Sequence, residues 1–396
     1  MALEQTWRWF GPDDPVTLGE IRQAGAEGVV TALHQVPAGR IWEVEEIEKR
    51  KSLIEKSGLK WSVAESVPVH EDIKKQTGQY RALIGNYRES IRNLGKCGIY
   101  TVCYNFMPLL DWSRTDLRVR FRDGSMTTAF ESRAFAAFDL FLLERPGAEG
   151  EYGEEKIREA RAYMDRLTPP ERERLVETVL LGMPGSLEAY SLDGLRSSLR
   201  DYEGIGGNEL RDHLYHFLRE IIPAAEEAGV SMGIHPDDPP RSLLGLPRVV
   251  SDASDLERLL RVADSPSNGL TFCTGSLGAG IQNNVARMAE RFAGRVNFIH
   301  LRNVARNADG DFVEENHLEG DVDMYAVMRT MLVEQKRRSD EGRQEARMPM
   351  RPDHGHLMTP DERRKGIYPG YSLFGRMRAL AELRGLELGI RRALDL

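Results

Sequence analysis

Four residues able to hold a metal ion stand at the carboxyl ends of four short apolar runs. VSMGI is followed by His235, GLTF by Cys273 and VNFI by His300, and MPMRP by Asp353. Imidazole, thiolate and carboxylate are lone-pair donors, and a divalent ion needs several of them facing one point. Taken singly, each histidine reads as a satisfied core residue and Cys273 as a small hydrophobe. Taken together, the four read as a metal centre, because a shared strand-end position has no structural need for donor atoms. Two imidazoles, a thiolate and a carboxylate suit Zn2+, Fe2+, Co2+ or Mn2+ rather than Mg2+ or Ca2+. A tetrahedral ion would be saturated by the four and structural. Five- or six-fold coordination would leave room for a substrate hydroxyl or carboxylate.

The neighbours of these residues carry proton-transfer and anion-binding groups. His354 directly follows Asp353 and shares its rim, where it can donate or accept a proton. Arg302, two residues past His300, offers a fork-shaped donor for a substrate carboxylate, with Asn303 beside it. In YPGYS the Pro369–Gly370 joint can present Tyr371 to the rim. Next to a cation and an arginine its pKa would fall and it could act as a base. On local sequence alone it is a packed aromatic at a helix start. His34 and Glu65 end the second and third strand-like runs, and His70 and Glu71 follow in VPVHEDIK. Asp237 and Asp238 lie in HPDDPPR, where they orient ligands or make turns, and His317 lies in NHLEGDVDMY within reach of a substrate. Each of these reads first as a supporting group.

To bring such distant residues together the chain must place strand ends on one rim, which a closed parallel barrel does. Strand-like and helix-like segments alternate from the start, the pattern of βα repeats. Eight runs are expected as strands: Thr6–Phe10, Gly28–Leu33, Trp61–Ser66, Ile99–Phe106, the run ending at His235, Gly269–Phe272, Val296–Ile299 and Met348–Pro352. Between them lie helical patterns, such as Tyr80–Lys96 with Leu83, Ile84, Tyr87, Ile91 and Leu94 recurring at helical intervals. Residues 111–206 show helical patterns and no clear strand, which predicts a helical insertion after the fourth strand, a cap or an oligomer contact. The 396 residues therefore read as one (β/α)8 barrel domain over 1–396 with that insertion. A net charge of -8 argues against a general nucleic-acid surface. Three cysteines fit a reducing compartment, and no apolar run is long enough to span a bilayer, so a cytoplasmic protein is expected.

In order along nearly the whole chain, the strings EQTWRWFGPDDPV, GVVTALH, WSVAESVPVHEDIK, YNFMPLLDW, HPDDPPR, TFCTGS, HLRN, GDVDMY, RPDHGH and PGYS resemble the mannonate dehydratases of hexuronate catabolism. The resemblance implies a xylose-isomerase-like TIM (β/α)8 barrel and a lyase that removes water from D-mannonate to give 2-dehydro-3-deoxy-D-gluconate. It maps the metal ligands onto His235, Cys273, His300 and Asp353, with one Mn2+ or Fe2+ per subunit. It further implies a small sugar-acid substrate; no nucleic-acid or membrane partner is expected, and a homo-oligomer is. The chemistry of a 2-hydroxy acid then suggests Tyr371 as the base at C2. His354, with Asp353, would protonate the departing C3 hydroxyl, and Arg302, Asn303, His34 and His317 would contact substrate. Two alternatives stand beside this reading: an aldose–ketose isomerase on the same barrel, and a carbohydrate-binding protein with a structural metal.

Overall fold

The structure, a computed structural model, describes residues 2–181, 191–343 and 346–396. Twelve strands are found there: β1 (Glu4–Arg8), β2 (Gly28–Thr31), β3 (Lys60–Glu65), β4 (Thr101–Tyr104), β5 (Asp116–Arg120), β6 (Met126–Phe130), β7 (Ser231–Ile234), β8 (Asn268–Cys273), β9 (Val296–Leu301), β10 (Asn303–Arg306), β11 (Phe312–Glu315) and β12 (Pro349–Pro352). Eight of them close a barrel in the order β1-β12-β9-β8-β7-β4-β3-β2, and every pairing in it is parallel. Each corresponds to one of the eight runs expected from sequence, shifted by a few residues at its ends.

Local chemistry explains why the elements start and stop where they do. Thr17 and Glu20 form a capping box at the helix Leu18–Gln23, worth roughly 1 kcal/mol. The helix Tyr80–Lys96 turns Ile84, Tyr87, Ile91 and Leu94 inward and packs against the helix Gly207–Ala228. That second helix ends on Gly229 at φ 66°, a left-handed turn that glycine takes without penalty.

Residues 111–206 carry the expected helices, among them Glu154–Arg166, Pro169–Leu180 and Leu192–Arg200. The expectation that this segment has no strand is corrected. β5 and β6 lie within it and join β10 and β11 in a four-stranded antiparallel sheet of order β10-β11-β6-β5. Both hairpins have a physical origin legible in the chain: alternating residues around an Asp-Gly turn, with Gly124 at φ 88° and Gly310 at φ 76°. The sheet and the insertion helices share a second apolar core that includes Leu110, Phe130, Phe138, Leu175, Leu195 and Phe312. Residues 182–190, also inside the expected insertion, lie outside the described residues.

Candidate metal centre at the barrel mouth

Strand register builds the site in layers. Successive side chains point to opposite faces, so every second residue of a barrel strand faces inward. Val30, Val63, Cys103 and Phe298 form a buried apolar cluster, the floor of the site. Two residues further along β3 and β9 stand Glu65 and His300. Cys273 of β8 is in register with His300 of β9, which is in register with Arg351 of β12. Three strands thus set thiol, imidazole and guanidinium side by side. The His300 ring packs edge-on against Phe298, with centroids 4.5 Å apart.

His235, Cys273 and His300 each offer a ligand atom, and these atoms lie within 4.8 Å of one another. Asp353 brings Oδ2 to 3.5 Å from the Cys273 sulfur. His235 Nδ1 sits 2.7 Å from the Pro236 carbonyl oxygen. With Nδ1–H donating there, Nε2 keeps a lone pair for an ion. Burial lowers the His235 pKa and so keeps the ring neutral, as a ligand must be. Burial also opposes ionisation of Asp353, but Arg351, His354 and Arg302 overcome it and hold that carboxyl well below its usual range. This donor set fits a divalent ion.

Glu65, Cys103 and His300 also bring ligand atoms within 4.8 Å of one another. This is the poorer site. Cys103 belongs to the apolar floor, and burial, with Glu65 adding to it, pushes its thiol well above the ordinary range. Glu65 is committed to Arg351, 2.9 Å from Nη2.

His354 Nδ1 lies 2.7 Å from both carboxylate oxygens of Glu314 and 3.0 Å from Arg302 Nη1. It cannot donate to the first and accept from the second with one proton. The shorter contacts to an anion favour donation to Glu314, which leaves Nε2 free. The His354 and Tyr371 rings meet edge-on, 5.1 Å apart. Burial pushes the Tyr371 phenol up, Arg351 pulls it down, and Asp353 and Glu65 raise it again, to about 12. The lowered pKa expected of Tyr371 is therefore not produced by the protein's own groups and requires added positive charge.

Arg302 departs from the clamp expected of it. Its Nη2 lies 2.7 Å from Asp238, its Nη1 3.0 Å from Glu314 and its Nε 3.5 Å from Asp353. Arg114, wholly buried, closes a ring with the same carboxylates, 2.8 Å from Asp238 and 2.6 Å from Glu314. Arg302 is thus an internal strut that orients His354, not a free receptor for a substrate carboxylate. Asn303 is likewise committed: its amide donates to the His317 and Val322 carbonyls, and its oxygen accepts from the Val304 and Val322 amides.

His34 has two buried ring nitrogens with no hydrogen-bond partner among the described residues. Burial, then Arg8 and Arg50, lower its pKa to about 3. His317 Nε2 is likewise buried without a partner, and burial and His356 bring its pKa to about 3. His70 caps the helix Glu71–Lys75, and Glu71 pairs with Lys74, so neither belongs to the centre. Asp237 holds its own loop through Val250 and Ser251, whereas Asp238 enters the ring of charges. Sequence reasoning missed Arg351, Arg114 and Glu314. Arg351 had a signal, since it stands two residues before Asp353 and so on the same strand face.

These groups surround a small cavity of about 20 Å³ lined by Asp111, Trp112, His235, Asp353, His354 and Tyr371 among others.

Residues 3–395 match the family model described as D-mannonate dehydratase. A relative named mannonate dehydratase from Marinomonas sp. is 52% identical over 393 residues, covering 99% of this chain and 100% of that protein. Another, from Chromohalobacter salexigens, is 53% identical over 390 residues, covering 98% and 99%. The crystal structure of mannonate dehydratase from Streptococcus suis serotype2 superposes with a TM-score of 0.77 at 35% identity, covering 100% of this chain and 95% of that one. A xylose isomerase-like TIM barrel protein from Mycobacterium smegmatis, in complex with magnesium, shares the fold at a TM-score of 0.54 and 13% identity, covering 98% of each chain.

Proposed function

The chain belongs to the D-mannonate dehydratase family, and from that premise we propose how its barrel mouth removes water from D-mannonate to give 2-dehydro-3-deoxy-D-gluconate. Its activity is that of a hydro-lyase. One divalent ion, Mn2+ or Fe2+, would be held by His235, Cys273, His300 and Asp353. The observation that carries this reading is the convergence of three ligand atoms within 4.8 Å, beside Asp353, where His354 and Tyr371 meet.

When bound, the ion supplies positive charge that makes the C2 proton of a 2-hydroxy acid easier to remove. Tyr371 takes that proton. With Nδ1–H kept on Glu314, His354 takes up a second proton on Nε2, becoming an imidazolium, and donates that proton to the C3 oxygen, which leaves as water. The C2–H and C3–O bonds break, a C2–C3 double bond forms, and the enol takes a proton at C3 as it becomes the 2-keto product. Asp353, held ionised by Arg351, His354 and Arg302, is a poor acid, which leaves the proton-donor role to His354. Glu314 and Arg302 fix the direction of its ring. His34 and His317, with buried ring nitrogens lacking partners among the described residues, would meet the outer hydroxyls of the substrate.

Residues 1–396 are read as one barrel domain with 111–206 as its insertion, working in the cytoplasm as a homo-oligomer. Among the described residues no helix is long and apolar enough to cross a membrane, and all three cysteines are free.

The test is metal content measured together with formation of a 2-keto-3-deoxy acid from D-mannonate, with free aldoses as controls. Tyr371→Phe should keep its metal and lose roughly 10²- to 10⁴-fold in kcat. Full turnover by that variant removes Tyr371 as the base.

A further inference from the structure

We propose that Trp112 and Asp111 form a subsite that reads the hydroxyl next to the leaving group, the C4 hydroxyl of the sugar acid. This rests on the function proposed above and deepens it. Both residues line the cavity at the barrel mouth. Trp112 is 4% exposed, and its indole N–H is buried with no acceptor among the described residues. An indole N–H can only donate, and burying it unpaired costs free energy unless a ligand oxygen arrives. The ring is not free to turn away. The Arg114 guanidinium lies over it, 4.6 Å from the centroid, and the His354 ring stands edge-on to it at 6.0 Å.

Several charged and polar groups of the wall are already engaged. Arg351 is held by Glu65 and Asp353, Asp238 by Arg114 and Arg302, and His354 Nδ1 by Glu314. Asp111 accepts one bond, from Asn105 Nδ2 at 3.3 Å, and a carboxylate has capacity for more. A hydroxyl donates one hydrogen and accepts others, so one N–H beside one carboxylate is its complement. The position follows from His354. His354 has two aromatic neighbours, Tyr371 at 5.1 Å and Trp112 at 6.0 Å: with Tyr371 at C2 and His354 Nε2 at the oxygen on C3, Trp112 is assigned to the next carbon toward the tail, C4.

The experiment is a two-by-two comparison of kcat/KM: wild type and Trp112→Phe, each on D-mannonate and on its 4-deoxy analogue, with metal content and thermal midpoint measured in parallel. Phenylalanine keeps a ring under Arg114 and removes the donor together with part of the indole's volume. Wild type should lose roughly 10²-fold on the analogue, because the buried polar groups of the subsite are then left unpaired. Trp112→Phe should lose roughly 10-fold or more on D-mannonate, with the two losses overlapping rather than multiplying. Additive losses, or unchanged discrimination against the analogue, overturn the subsite. If Trp112→Phe loses its metal or its fold, Asp111→Asn run through the same comparison decides, by the same criterion. Absence of D-mannonate turnover by wild type sinks the proposed function instead, so the two failures are distinct.

Discussion

Replacing Glu314 with glutamine tests the charged ring and the aim of His354 at once. The Glu314 carboxylate lies 2.6 Å from Arg114, 3.0 Å from Arg302 and 2.7 Å from His354 Nδ1. At an effective dielectric constant of about 20, unit charges ~3 Å apart attract by about 5 kcal/mol. Burying a carboxylate cancels several kcal/mol of that per ion, so removing this one partner should cost about 3–5 kcal/mol. With an unfolding entropy of about 2.1 cal/mol/K per residue over the 396-residue chain, Tm should fall by roughly 4–6 °C. Glutamine keeps the shape but not the charge that draws Nδ1–H, so kcat should fall roughly 10²- to 10⁴-fold with metal content retained. The pH dependence has a definite sign. Burial raises the Glu314 pKa, but His354, Arg302 and Arg114 bring it well below the ordinary value of 4.5. Its stabilisation is therefore full above pH ~4.5 and is lost as pH falls through the lower folded value. The Tm gap between wild type and variant should be constant near neutrality and close only in strong acid. An unchanged kcat in metal-replete Glu314→Gln would refute the orienting contact, and an unchanged Tm would refute the ring as a stabilising element.

Further outcomes follow from the same contacts. Cys273→Ser should weaken retention of the ion by about 10-fold or more, since a hydroxyl is a poor ligand for the softer divalent ions. Cys103→Ser should leave metal content unchanged; the reverse pattern in metal analysis would move the centre to the Glu65–Cys103–His300 group. His317, with a pKa of about 3 against an ordinary value of 6.5, stays neutral while the unfolded chain takes up a proton. Stability must then fall as pH drops from about 6.5 toward 3, by about 2 kcal/mol at pH 5. His317→Asn should flatten that part of the Tm-against-pH curve, and an equally steep curve in the variant would show that the ring is not held neutral.

The parts legible in the sequence were those that obey local periodicity. β-branched runs closed by a donor residue gave the barrel strands, because strand propensity and the position of His235, Cys273, His300 and Asp353 are properties of short windows. The hairpin β5–β6 was equally available in LRVRFRDGSMTTAF, where Leu117, Val119 and Phe121 alternate with arginines before Asp123–Gly124. The helical patterns that surround it masked a period of two. Arg302 failed for another reason. Its distance from His300 in sequence says that it lies near the rim, but not that Asp238, from the loop after β7, and Glu314, from β11, occupy its guanidinium first. Contacts among residues separated by 64 and 200 positions have no trace in local spacing.

The charge arrangement of the mouth bears on which substrate it can take. Arg8, Arg114, Arg302 and Arg351 are buried beside Glu65, Asp238, Glu314 and Asp353, and each arginine has at least one of these carboxylates within 4.0 Å. The fixed charges of this layer therefore cancel, and Asp111 at the edge feels Lys74 and Arg248. A divalent ion would bring two positive charges, and Cys273, deprotonated as a ligand, would return one negative charge. One negative charge is still wanting in a buried site, where an uncompensated charge is costly. The carboxylate of a sugar acid supplies it, whereas a neutral aldose leaves the loaded site with net charge. The same barrel with neutral Arg302 or Arg351 partners would favour a different charge on its ligand, so selectivity for an acid over an aldose is written in the paired arginines as much as in the residues that face the substrate.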